Sequence, residues 1–475
     1  MRPVIVSLRR SVYPAIAAVA CTALLAGGGA LAQRDAPRKP RDVRFGADIR
    51  LGGEAGNSQI EPAIAVNPLS TGYLAAGFIE RSDKGSKFAV RYVSTTDGGG
   101  SWTTSEAAPR RRTRDATADP SLAWDLSGNL FQAYLEFRQS GANANAEVLV
   151  AKSTDGGRTF PTFTVAAAND GANALDKPFM GADAWPSSPF RGAIYVAYMD
   201  FLQGVMAVVS RDAGATWSAP LLAAPFDPVQ FSQSPLPVIA PDGTAFIFYA
   251  QYESFDEPRV TSIRYVRSGD GGRTWSPPAS VASGLPSPGV FTLKNADPAF
   301  GTELGAGVRA FSFPGAAITP NGDIFVAWVD FPAGSCTFLG GSPSPCANAD
   351  VRLAVSRDGG SSWSAPVKVS DEAGASDQFF PWIAAHPDGL VSIMWLDRRL
   401  DSINVDYDVF YTNTYDGRSF LPNVKVNTLP SLPGTLFFIG DYQGMTATAD
   451  AVLPVWNDAR SGSPAIFFAR GALSP

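Results

Sequence analysis

The chain is poor in the residues that many enzyme chemistries require. It has one histidine, His386 in the turn "HPDG", so histidine triads and histidine-rich zinc sites have no raw material. Cysteine is nearly as scarce, with Cys21 near the N-terminus and Cys336 and Cys346 in "GSCTFLGGSPSPCAN", too few for a thiolate mechanism. No Gly-rich turn follows a strand and opens a helix, which excludes a phosphate cradle. No segment has EF-hand spacing, so a channel-bound Ca²⁺ on acidic residues is the only metal considered and no cofactor is implied. Past the N-terminus no apolar run reaches the roughly 18 residues of a membrane span. Basic residues are also outnumbered, 38 against 44 acidic, which argues against nucleic acid or anionic membrane as partner.

What is present begins with a leader. Arg2, Arg9 and Arg10 precede an apolar run from Ala15 to Ala26, followed by Ala30-x-Ala32, which predicts a signal peptide over 1–32 and a mature start at Gln33. A lipoprotein reading through Cys21 is weaker, because the apolar run continues past it. Residues 33–43 then form a flexible lead-in, and the product is periplasmic or secreted. Losing the leader's three arginines moves the formal net charge from -6 to -9. In an oxidising compartment Cys336 and Cys346 predict a disulfide, worth about 3 kcal/mol by loop entropy.

Repetition dominates the rest. "TTDGGGSW", "STDGGRTF", "SRDAGATW", "SGDGGRTW", "SRDGGSSW" and "TYDGRSF" place Asp97, Asp155, Asp212, Asp270, Asp358 and Asp416 at intervals of 58, 57, 58, 88 and 58 residues, the long interval marking an insertion. Upstream of each lie two strand-length apolar runs, the first opened by proline at Pro62, Pro120, Pro178, Pro235, Pro314 and Pro381, with Gln443 in the seventh place. A third strand enters each aspartate turn and a fourth leaves it, which defines an antiparallel propeller blade. The expectation is an all-β single propeller over 44–475 with seven four-stranded blades, or six if the insertion hides another register. The last unit has no fourth strand, and "ADIRLGG" near the N-terminus is available to supply it and close the ring.

The repeated turn itself reads as architecture. Its Asp accepts backbone N–H groups, Gly permits positive φ, and the aromatic packs beneath. Recognition is then left to the opposite face, where strand-one starts and strand-two ends meet. Those positions carry Glu61, Asp119, Asp176, Lys177, Asp441 and Tyr442, and then Arg81, Glu136, Arg138, Asp200, Asp330, Asp397, Arg398, Arg399, Asp458 and Arg460. Carboxylates and guanidiniums around one axis can orient a polar ligand. For Asp200, Asp330 and Asp397 the competing reading is that they only tie blades together. The Arg110–Arg114 run reads as a solvated connector.

The six turns resemble the Asp boxes, or BNR repeats, of the sialidase superfamily. That resemblance implies a glycan or other polar anionic ligand at the channel mouth and, if the protein is an enzyme, a glycoside hydrolase. Tyr442 then matches a tyrosine nucleophile and Asp119 an acid/base, with Glu61 as alternative acid. The superfamily's arginine triad is not matched: Glu61 stands near where its first arginine would be. The resemblance therefore implies a ligand other than sialic acid, with Arg81, Arg138, Lys177, Arg398, Arg399 and Arg460 as substrate-binding candidates. The alternative is a non-catalytic recognition or scaffold propeller. A monomer is expected.

Overall fold

The computed structural model describes residues 38–475 apart from 53–56, 82–87, 105–106, 113–115, 138–145, 169–173, 228–229, 254–260, 286–289, 297–306, 333–335, 340–341 and 437. The expected leader and Arg138 lie outside the described residues. Among those described there is no helix, as the Gly, Pro and aromatic punctuation predicts.

Seven antiparallel blades follow one another along the chain. In blade 1 the strands are Ser58–Val66, Leu74–Arg81, Phe88–Thr95 and Thr103–Thr104, hydrogen-bonded in that order. The inner strands of the others are Ala116–Trp124, Leu175–Ala182, Gln230–Ile239, Gly315–Ile318, Gln378–Ala385 and Gly444–Ala447. Each inner strand packs on its neighbours in a cycle that returns from blade 7 to blade 1. The ring closes as expected: Ile49–Arg50 adds as the outer strand of blade 7 by pairing with Ala465–Phe468. Val43–Phe45 pairs with Gly471–Leu473, and Arg41, placed by the sequence in a flexible lead-in, donates its N–H to Asn413 Oδ1 at 2.9 Å. Closure removes two sheet edges that would otherwise be open to aggregation.

The insertion leaves the blade count at seven. It forms one hairpin ahead of blade 5, Val290–Leu293 with Val308–Phe311, and a second inside it, Cys336–Leu339 with Ser342–Cys346. The register of the second sets Cys336 opposite Cys346.

Between blades the packing is aromatic. Trp328, Trp395 and Trp456 occupy the same place on the second strands of blades 5, 6 and 7 and are fully buried, each worth about 3–5 kcal/mol against truncation. The aspartate turns tie down the outer strands. In the turn at Asp270, Ser268 Oγ donates to Oδ1 at 2.7 Å, Thr274 N–H donates to the same oxygen at 3.0 Å, and Thr274 Oγ1 donates to Oδ2 at 2.6 Å. Gly272 there has φ +77°, and a Cβ would meet Val209 Cγ2 at 2.6 Å, so the turn lies directly on blade 3 and only glycine fits. The same bonds recur at Asp97, Asp155, Asp212 and Asp358. All of it is local architecture.

Candidate functional site

Strand register places the aspartate turns and the site at opposite ends of the blades. Thr95, just before Asp97, pairs with Leu74, which faces Val66 at the far end of the inner strand. Glu61 lies at the other end, beyond the Ile60–Ile79 pair.

A repeated backbone irregularity aims the site residues. In five blades the residue before the strand-one proline is left-handed: Glu61, Asp119, Lys177, Ser234 and Phe380 have φ between 49° and 57°. The ladder register shifts at each of them. Proline has no N–H to give the ladder, so pairing lapses there and the preceding residue is displaced as a bulge. Positive φ in a non-glycine residue costs of order 1–3 kcal/mol. Three of the five, Glu61, Asp119 and Lys177 of successive blades, line one cavity. The equivalent residues of blades 5 and 7, Phe313 and Tyr442, are not left-handed, and their strands start later, at Gly315 and Gly444.

The result is a cavity of about 460 Å³. Its charged floor is Glu61, Asp119, Asp176, Lys177, Arg309 and Asp441. Phe88, Phe137, Phe201 and Phe231, joined by Tyr252 and the Phe311–Phe313 and Phe438 rings, form an aromatic collar. Lys177 is the hub: Nζ lies 2.9 Å from Asp441 Oδ2, 3.2 Å from Glu61 Oε1 and 3.7 Å from Asp119 Oδ1. Arg309 Nη2 donates to both oxygens of Asp441, at 2.7 and 2.9 Å, while its guanidinium lies 4.3 Å from the centre of the Phe438 ring. Gln233 Nε2 donates to Asp176 Oδ2 at 3.0 Å. Gly440, at φ +93°, allows the blade 7 connector to lie against Glu61, where a Cβ would come within 3.0 Å of the Glu61 nitrogen.

The carboxyls are pushed in opposite directions. Burial pushes Glu61 well above the usual range even against the attraction of Lys177. Burial likewise raises Asp176 to about 7. Burial would raise Asp119 too, but Lys177 and hydrogen bonds from the Glu61 and Asp176 carboxyls hold it below its ordinary value. Lys177 itself is held well above the usual lysine range, because its four carboxyl neighbours outweigh burial. Glu61 Oε2 is buried and receives no N–H or O–H from the chain outside that carboxyl cluster. Among the described residues no group of histidine, cysteine or carboxylate side chains is arranged to hold a metal ion; at this floor an ammonium fills the centre.

The structure therefore brings Glu61, Asp119, Asp176, Lys177 and Asp441 together at the cavity, whereas Tyr442, Arg81, Arg398, Arg399 and Arg460 do not line it. Tyr442 lies beneath the floor, 3% exposed, its hydroxyl 3.5 Å from Pro120 O and its ring 5.3 Å below Lys177 Nζ. Burial, then the Glu61 and Asp119 charges, push its phenol far above the ordinary value. Arg81 is exposed, its guanidinium 5.8 Å from the Phe88 ring. Arg398 is fully buried on Asp377 at 3.4 Å. Arg399 bonds Asp397 and Asp371 and lies over Phe410. Arg460 repeats that arrangement with Asp458, Asp48 and Phe467. In the connector, Arg111 and Arg112 N–H groups cap Glu136 at 2.9 and 2.7 Å.

Arg309 and Gln233 are floor residues that sequence reasoning missed. Arg309 stands in the insertion, where no repeat register exists to align it. Gln233 had a signal, since "SQSP" opens the fourth inner strand and a bulge at Ser234-Pro235 turns both residues inward.

Fold and site together define a seven-bladed β-propeller with an acidic, aromatic-collared cavity at its axial mouth. No family model and no curated protein matches the sequence. Among solved structures, a Dyadobacter fermentans protein described as of unknown function is similar over 91% of this chain and 99% of its own, at 15% identity and a TM-score of 0.51. A leech intramolecular trans-sialidase follows at 12% identity and a TM-score of 0.46, covering 78% of this chain and 68% of its own. A Penicillium chrysogenum alpha-L-arabinanase aligns at 15% identity and 0.46, covering 78% and 98%. The propeller is thus the architecture that the sialidase-superfamily resemblance implied, and sialidases are among its structural neighbours.

Proposed function

We propose that this is an exported propeller that binds a glycan in the axial cavity and cleaves a glycosidic bond there with the Glu61–Asp119 pair. The observation that carries the reading is that pair: two carboxyls on equivalent left-handed bulges, in contact at a cavity floor, one pushed by burial toward keeping its proton and the other held by Lys177 toward ionisation. Acid/base hydrolysis needs carboxyls whose environments separate their proton affinities. Because the two carboxyls are in contact they act from one face of the sugar: Glu61 gives its proton to the leaving oxygen as the C–O bond breaks, the alcohol departs, and water takes its place, adds to the anomeric carbon and returns a proton to the carboxyl pair. Lys177 keeps Asp119 ionised, and the collar offers apolar faces to sugar rings. Tyr442, far above its ordinary pKa and below the floor, supports the Lys177 ammonium in this scheme rather than attacking substrate. The register of Cys336 against Cys346 supports a disulfide, in keeping with export to the periplasm or beyond.

A second reading has its own observation. The Lys177 knot joins side chains of blades 1, 2, 3 and 7, as a purely structural or recognition propeller would also require. The purified full chain is tested on a panel of aryl glycosides and by calorimetry with the free sugars. Turnover lost in Glu61→Gln and Asp119→Asn supports hydrolysis. Binding without turnover supports recognition, and the absence of both leaves the scaffold.

A further inference from the structure

We propose that the cavity selects a sugar bearing a free, protonated amine, which is received by Glu61; this rests on the glycan reading above and names its ligand class. Three observations lead there. Both cations of the floor are already paired with carboxylates. The three protons of the Lys177 ammonium face three carboxyls at 2.9, 3.2 and 3.7 Å, and Arg309 is gripped at two points by Asp441. A carboxylate ligand would have to sit beside the carboxyls of Glu61, Asp119, Asp176 and Asp441.

A donor, by contrast, is missing. Glu61 is 2% exposed and lines the cavity, yet its Oε2 takes no donor from the chain beyond the neighbouring carboxyl. That oxygen is content either when it shares a proton with Asp119 or when a ligand brings an N–H to it. A hydroxyl can supply only a neutral bond, whereas an ammonium supplies a charge-assisted one, roughly twice as strong. The walls suit a cation as well. The chain's own cations already rest on aromatic faces here, Arg309 on Phe438 and Phe311 and Lys177 on Tyr442, and a ligand ammonium would meet rings of the same kind.

The charge balance follows. The ammonium donates to Glu61 Oε2 while the proton shared with Asp119 stays within the pair, so binding releases no proton and the acid that hydrolysis needs is kept. The other groups facing Glu61 are Asp119, Asp176, Asp441, Lys177, Arg309 and Tyr442. Of these, Asp176 sheds a proton as pH rises from 5 to 7 while an amine stays charged, so affinity for the amine rises across that window.

The test is calorimetry on the full-chain protein with one pyranose ring in three forms, methyl glucosaminide, methyl glucoside and methyl glucuronide, and with benzylamine as an amine without a sugar. The glucosaminide is expected to bind about tenfold or more tighter than the glucoside and the glucuronide weakest, with a preference that collapses in Glu61→Gln. Should that variant not fold, the wild-type preference must grow from pH 5 to 7, the window in which Asp176 ionises. A glucosaminide no tighter than the glucoside, or a glucuronide that binds best, overturns the inference and leaves the glycan reading standing. Benzylamine binding as tightly as the glucosaminide while neither other sugar binds overturns the glycan reading and keeps the amine pocket. No binding by any probe overturns both.

Discussion

The ends of strand two and the starts of strand one both carry buried ions on the same face, yet they are built differently. At the strand-two ends of blades 6 and 7 the pattern Trp-x-Asp-x-Arg repeats. Trp395 Nε1 and Arg399 both donate to Asp397, and Trp456 Nε1 and Arg460 both donate to Asp458. Each arginine also lies flat on an aromatic ring, 4.3 Å from the Phe410 centroid and 4.5 Å from that of Phe467. These are closed clamps within and between blades. At the strand-one starts the residues before the proline position mostly differ, with only phenylalanine recurring, at 313 and 380, five of the seven are left-handed, and Glu61 Oε2 takes no donor beyond the neighbouring carboxyl. Repetition with both oxygens of Asp397 and Asp458 occupied marks architecture; departure from repetition around an open cavity marks a site.

Variants can break that distinction. The largest effect is expected on chemistry: Glu61→Gln lowers hydrolysis of the best panel glycoside by about 10²–10⁴-fold, while urea unfolding shifts by less than about 1 kcal/mol, because a buried carboxyl is exchanged for an isosteric amide. Asp397→Ala does the reverse. It leaves a buried arginine and an indole N–H short of an acceptor and costs about 3 kcal/mol, with kcat/KM per folded molecule unchanged.

The two ends of the blades also answer pH with opposite sign. Asp176, raised by burial to about 7, binds its proton more tightly when folded, so its contribution is complete below the unfolded value near 4 and is lost as pH rises through about 7. Asp212, lowered to about 2 by hydrogen bonds from Thr216 and Ser210, contributes above about 4 and loses that contribution as pH falls through about 2. Asp176→Asn should therefore remove a fall in stability between pH 4 and 7, a few kcal/mol at most, and leave the acid limb in place; unfolding midpoints across pH measure both.

Smaller effects follow. Gly440→Ala strains φ and presses on the Glu61 backbone, costing about 2 kcal/mol and lowering kcat with it. Asp270→Ala removes one turn's acceptor on a solvated surface and costs about 1 kcal/mol or less after screening by water, with no change in activity.

Much of this architecture was legible in the sequence because it repeats. Six aspartate turns at near-constant spacing and six prolines upstream of them give the blades, and the missing fourth strand of the last unit points to the N-terminal segment that closes it. The site was legible only where it used the same register. Glu61, Asp119 and Lys177 precede the repeated proline, so alignment of the units puts them on one face. Arg309 has no repeat partner. Tyr442 shares the position in alignment, but its ring lies beneath the floor, 5.3 Å from Lys177 Nζ, and not in the cavity. Arg399 and Arg460 looked like substrate ligands because sequence shows a charge and not the carboxylate folded against it.

The most direct test is binding of the best panel sugar to two variants, Glu61→Gln and Asp458→Asn, each at matched folded fraction. This account predicts at least tenfold weaker binding for the first and wild-type affinity for the second. Equal losses in both, or wild-type affinity in Glu61→Gln, would contradict it.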